Sequence, residues 1–182
     1  MPTPKVKLED FIAKLEKADA VDWARLAAFI DGEGTITIAS SPRRGRSARS
    51  QHEGRVTVAN TSILLMHWLI DTFGGSIRTT HYAGNSPINF WVLNELQAEQ
   101  VAIRCLPYLI IKGEQARIFL AFRELKSKKR DTFHNSKVTL EMWNERESLL
   151  KRIRVLNGAR TRFASESSLA CQPKENACGP YN

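Results

Sequence analysis

The sequence predicts an α+β fold whose core is an αββαββα repeat, a curved antiparallel sheet covered on one face by helices. Three observations predict it. Helix and strand signals follow one another as helix, hairpin, helix, hairpin, helices; the strand segments alternate apolar and polar residues with period two; and glycines and capping residues punctuate the boundaries.

Leu8, Phe11, Ile12 and Leu15 recur at helical spacing and predict a short amphipathic helix over residues 8–17. Asp22 is expected to cap the next helix, from Trp23 to about Gly32. Thr35 to Ala39 then alternates, with Ile36 and Ile38 inward, and Arg55 to Ala59 alternates in the same way. Joined by an arginine-rich loop, these two strands read as a long antiparallel hairpin. Ser62 caps a helix running to Phe73, and Gly74-Gly75 ends it. Ile77 to Tyr82 and Ile88 to Leu93 form a second hairpin. Asn94 and Gln97 make a capping box that opens a helix ending before Pro107. Two more helices are expected, from Gly113 to about Lys126 and from Ser136 to Leu156, the second with Met142, Leu149, Ile153 and Leu156 on one face. From Asn157 the composition turns to Ser, Ala, Gly, Pro and Asn, which predicts a loose tail. The expected organisation is a helical extension over 1–21, one domain over 22–156 and a tail over 157–182.

The 182 residues carry 27 Lys and Arg against 19 Asp and Glu, a formal net charge of +8. Apolar residues at 42% and charged residues at 25% are ordinary globular usage and exclude wholesale disorder. No apolar run approaches the ~18 residues of a membrane span, and acids interrupt the apolar stretch at the start, so an intracellular protein with no membrane partner is expected. The 3 cysteines form no C-x-x-C pair and the 4 histidines are scattered, which argues for reduced thiols and against structural zinc.

The positive charge is clustered. Arg43, Arg44, Arg46, Arg49 and Arg55 face the single acid Glu53 in a stretch rich in Ser and Gln. Arg and Gln offer planar, bidentate donors suited to base edges, which makes nucleic acid the leading partner class. A second cluster, Arg123, Lys126, Lys128, Lys129 and Arg130, reads as a solvated face, or, over 126–130 and together with the last helix, as phosphate contacts.

Leu26-Ala27-Ala28-Phe29-Ile30-Asp31-Gly32-Glu33-Gly34 is the most informative stretch. Ala24, Ala28 and Gly32 recur every four residues, a stripe of tiny side chains that lets another backbone approach. The helix ends on two carboxylates, Asp31 and Glu33, where its own carbonyls already carry partial negative charge. A divalent cation would offset this. Capping of neighbouring backbone N–H groups accounts for Asp31 and leaves Glu33 unexplained.

The string LAAFIDGEG resembles the LAGLIDADG motif of homing endonucleases, with changes at its third and fourth positions and Glu for Asp at the second acid. The resemblance continues through Val58-Ala59-Asn60-Thr61, Phe73-Gly74-Gly75 and Leu106 to Ala116, which is similar to that family's P-Y-L-x-x-K-x-x-Q-A segment; it covers residues 22–125. The resemblance implies a site-specific endonuclease acting on double-stranded DNA with Mg²⁺, Ca²⁺ or Mn²⁺ being substitutes. One motif copy implies a homodimer, the motif helices packing at the twofold axis with Ala28 and Gly32 closest, on a long pseudo-palindromic site. Glu33 and the Gly32 carbonyl are carried over as metal contacts, and Asp31 as structural support. Lys112 is carried over as the basic residue near the scissile phosphate that polarises the attacking water. Asn60 falls where the family organises that water with Gln or Asn. The expected groove-reading set is Thr37, Arg43, Arg44, Arg46, Arg49, Gln51, His52, Arg55 and Thr57, with Arg78, Thr80 and Tyr82 from the second hairpin. The alternative on the same scaffold is a maturase that binds intron RNA, or a non-cleaving DNA-binding regulator; the intact Glu33 beside Lys112 favours catalysis.

Overall fold

The computed structural model describes residues 7–41, 51–81, 83–84, 86–127 and 138–166, with 159–166 as backbone only. Helix α1 (Leu8–Leu15) precedes α2 (Ala20–Glu33), which runs directly into β1 (Gly34–Ser41). Then come β2 (Gln51–Asn60), α3 (Ile63–Phe73), β3 (Ser76–Thr80), β4 (Ile88–Val92) and α4 (Glu95–Cys105). A 3₁₀ turn (Leu106–Tyr108), α5 (Gly113–Ser127) and α6 (Leu140–Glu166) complete the chain.

Helix α2 starts earlier than expected. Its cap is Asp19, which accepts the Asp22 N–H at 2.8 Å while Asp22 accepts the Asp19 N–H at 3.4 Å. Asp22 is the inner partner of a reciprocal box, so Ala20 and Val21 join the helix. Ser62 and the Asn94–Gln97 box cap α3 and α4 as expected, and Gly74 ends α3 with φ at 71°, open to glycine at little cost.

The four strands form one antiparallel sheet in the order β1-β2-β4-β3. Ile36, Ile38, Val56, Val58 and Trp91 point to the helices and are at most 1% exposed. Phe11 and Leu15 bring α1 into this same core, as do Leu150 and Ile153 of α6. Residues 8–15 are therefore packed into the domain they were expected only to precede. Helix α6 begins at Leu140, the expected start at Ser136 lying outside the described residues, and continues through Glu166, past the expected loose boundary at Asn157. The Asn157 amide donates to the Ile36 carbonyl at 3.0 Å, which ties the helix to edge strand β1.

Gly54 lies under α5. A Cβ built there would stand 2.3 Å from Cε2 of Phe119, whose ring is fully buried. Gly54→Ala is expected to cost about 3 kcal/mol through overpacking, read as a lower urea midpoint with unchanged slope.

Candidate active site and nucleic-acid interface

The end of α2 carries the acidic pair, and no loop separates it from the sheet. A Cβ at Gly34 would sit 2.6 Å from the Ile30 Cα, so only glycine lets the chain leave the helix this sharply. The two acids then meet opposite fates. Asp31 is buried and accepts the backbone N–H groups of Ile110 at 2.7 Å, Ile111 at 3.1 Å and Lys112 at 2.8 Å. These donors lie just ahead of α5, where a carboxylate is electrostatically favoured. Asp31 thus accepts the N–H groups ahead of α5.

Lys112 reaches back the other way. Its ammonium donates to the carbonyls of Ile30 at 2.5 Å, Asp31 at 2.9 Å and Gly34 at 2.7 Å, and the residue is 5% exposed. The structure places this ammonium, expected beside the scissile phosphate, on the carbonyls at the end of α2. An ammonium has three protons, and three carbonyls at a helix C-terminus take them. Lys112 supplies the positive charge that the end of α2 needs. Burial, followed by the Asp31 charge, pushes the nearby Cys105 thiol up to about 12, so this cysteine is a packing residue and not a nucleophile.

Glu33 is exposed. Asn60, at the end of β2, donates its side-chain amide to Glu33 Oε2 and accepts the Ser62 N–H at 2.8 Å. The turn into α3 thus orients Asn60, and Asn60 orients the carboxylate. Gly32, Glu33 and Asn60 meet at the surface, with Asp31 and Lys112 as the floor beneath. Among the described residues no three His, Cys, Asp or Glu side chains converge. What the chain offers is one carboxylate and the adjoining Gly32 carbonyl, hard oxygen donors of the kind Mg²⁺ and Ca²⁺ take, and too few for one chain to enclose an ion.

Ala24, Ala28 and Gly32 all lie on the exposed side of α2, and a Cβ on Gly32 would meet nothing within 4 Å. Among the described residues nothing requires small side chains there. Val21, Tyr108, Ile110 and Ile111 are large exposed apolar groups on α2 and the segment that it caps.

The sheet face turned away from the helices carries Thr35, Thr37, Gln51, Arg55 and Thr57 on the first hairpin. Through the β2–β4–β3 register, Arg78 and Thr80 join them on the second. His52 does not. It is 4% exposed on the opposite face, where its Nε2 meets Glu147 Oε1 at 2.7 Å. The alternation that turns Val56 and Val58 inward also turns His52 inward, a signal already present in the sequence. Lys126, expected at a phosphate, pairs instead with Glu95 at 2.6 Å, and its neighbour Arg123 pairs with Glu95 and Glu99, both at 2.9 Å. These helix-to-helix pairs are set by packing and leave no local pattern. Arg43, Arg44, Arg46, Arg49, Tyr82, Lys128, Lys129 and Arg130 lie outside the described residues.

No family profile and no curated protein matches the chain by sequence. Solved structures match its fold. The homing endonuclease I-CvuI, in complex with its target in the presence of Ca, is 19% identical over 82% of this chain and 85% of its own, with a TM-score of 0.60. The archaeal intron-encoded homing endonuclease I-Vdi141I, complexed with DNA, is 14% identical over 75% of this chain and 84% of its own, with a TM-score of 0.57. The LAGLIDADG homing endonuclease I-SmaMI, bound to cleaved DNA, is 23% identical over 70% of this chain and 41% of its own, with a TM-score of 0.52. With a four-stranded antiparallel sheet, helices packed on one face and the acid-bearing helix leading into its first strand, this chain has the fold of the LAGLIDADG homing endonucleases.

Proposed function

We propose that the protein is a site-specific, divalent-metal-dependent DNA endonuclease that acts as a homodimer on a long pseudo-palindromic duplex. The observation that carries this reading is Glu33, exposed at the end of α2, held by Asn60 and next to a stripe of small residues that one chain leaves uncovered. Two such stripes packed together would bring two Glu33 carboxylates and two Gly32 carbonyls to one axis, completing a donor set that each chain half supplies. Mg²⁺, with Mn²⁺ or Ca²⁺ as substitutes, would be held there and would supply Lewis-acid activation of water and neutralisation of phosphate charge. Asn60 fixes the rotamer of Glu33, while Asp31 and Lys112 lock the end of α2 against α5. Thr37, Gln51, Arg55, Thr57, Arg78 and Thr80 would read a groove, with discrimination of about 1–3 kcal/mol for each bidentate base contact. Phosphate neutralisation by the basic chain would set affinity and its salt dependence.

The test is cleavage of the duplex that the protein selects from a randomised pool. Staggered cuts in both strands with Mg²⁺, lost on chelation with EDTA and restored by added Mg²⁺, support the reading. Selective binding with no cleavage under any divalent ion would leave a nucleic-acid binder instead. Light scattering should return about twice the 20.6 kDa chain mass. A monomer that cuts both strands would overturn the shared-site geometry.

A further inference from the structure

The first hairpin has an uneven support. β1 pairs with β2 along Gln51 to Val58, but β4 pairs only with Thr57 to Asn60. On the side where β4 has ended, the backbone of β2 meets side chains at His52 and Gly54 in place of a neighbouring strand. Glu95 of α4 accepts the Gly54 N–H at 2.9 Å. Lys126 of α5 donates to the His52 carbonyl at 3.2 Å and to both Glu95 oxygens at 2.8 and 2.6 Å. Glu147 of α6 holds the His52 ring, which also packs 5.9 Å from the Trp143 ring. Arg123 in turn holds Glu95. Three helices therefore fasten two alternate residues of one strand from behind.

The residues between and beside those fastened ones, Gln51, Glu53 and Arg55, point to the other face. Gly34 opposite Val58 marks the motif end of the hairpin, and Ser41 opposite Gln51 marks the far end. In a dimer built about α2, Gln51 and Arg55 face the outer part of each half-site, and Thr57 faces its inner part.

We propose that His52, Glu95, Lys126 and Glu147 form a clamp that determines base discrimination at the outer half-site positions, by fixing the pose of Gln51 and Arg55. These are positioning residues; none touches the duplex. The proposal rests on the DNA-reading assignment above. A strand edge paired only on one side twists and frays, and a bidentate contact tolerates little displacement, so the carboxylate and ammonium groups stand in for the missing strand.

The experiment uses the full-length protein and the duplex that the wild type selects from a randomised pool. Two variants are compared: Lys126→Met, which keeps an unbranched side chain and loses the ammonium that donates to Glu95 and His52, and Glu147→Gln, which keeps the size of the side chain. Kd is measured on the selected duplex and on single-base-pair changes along it, and amide hydrogen exchange is followed without DNA. Lys126→Met is expected to speed exchange at residues 51–55 about tenfold while 57–60 stay within about twofold. Discrimination at outer positions should fall about tenfold, and at inner positions by less than about twofold. Glu147→Gln should give the same pattern at about one third of the amplitude in discrimination. Faster exchange with unchanged discrimination, or an affinity loss equal at every position, would reduce the clamp to a stability device and overturn the proposal. A wild type that selects no duplex sinks the DNA-reading assignment itself, an outcome distinct from either of these.

Discussion

Glu33→Gln is expected to reduce double-strand cleavage by about 10³-fold or more while binding to the selected duplex stays within about threefold. The reason is local. The side chain is exposed at the end of α2 and its fixed partner is Asn60, which donates to Oε2. Glutamine can present its amide oxygen to that donor, so rotamer and packing survive and only the negative charge is lost. The unfolding midpoint should not move. Strand-nicking assays beside gel-shift titration measure both quantities on the same sample. A fully active variant would remove Glu33 from the chemistry and with it the proposed metal site.

Asp31→Ala should do the reverse and act through the fold. Three backbone N–H groups lose their acceptor, that of Lys112 in a buried place and those of Ile110 and Ile111 in part-buried ones. The lysine whose ammonium grips the end of α2 starts from the same short segment. Each stranded donor costs roughly 1–3 kcal/mol, less where water enters, so about 4 kcal/mol is expected in total. Thermal unfolding should shift down by roughly 10 °C for a chain of this size. Cleavage would fall together with the midpoint, whereas in Glu33→Gln it falls alone. Asp31→Asn keeps an acceptor without the charge and should lie between Asp31→Ala and the parent. A loss below about 1 kcal/mol in Asp31→Ala would mean that the crossed pair of caps does not hold α2 to α5.

Much of the architecture follows from short-range signals. Ser62, the Asn94–Gln97 box and Gly74 bound their helices where expected because each makes its bond within four residues along the chain. Alternation placed Ile36, Ile38, Val56 and Val58 inward and, by the same parity, Thr37, Gln51, Arg55, Thr57, Arg78 and Thr80 outward. Where the reading failed, a rule had been set aside or a distant contact decided. His52 obeys the same parity and faces inward, although the basic stretch around it resembles one surface. Asp22 looked like a cap because either member of a reciprocal acidic pair can serve. Helix α6 outruns its composition because Asn157 is anchored on Ile36, 121 residues away.

The candidate site divides in the same way. The residue types at the end of α2, their spacing and the stripe of small side chains are properties of the chain itself, since a helix puts every fourth residue on one face whatever surrounds it. Only the folded molecule could separate the two acids, turning Asp31 down onto the N–H groups ahead of α5 and leaving Glu33 to Asn60. Only the folded molecule could turn Lys112 from a surface charge into the internal cap of α2. Both outcomes depend on segments about 80 residues apart meeting at one point, 79 for Asp31 and Ile110 and 82 for Lys112 and Ile30. A flexible side chain goes wherever packing brings the nearest unsatisfied partner.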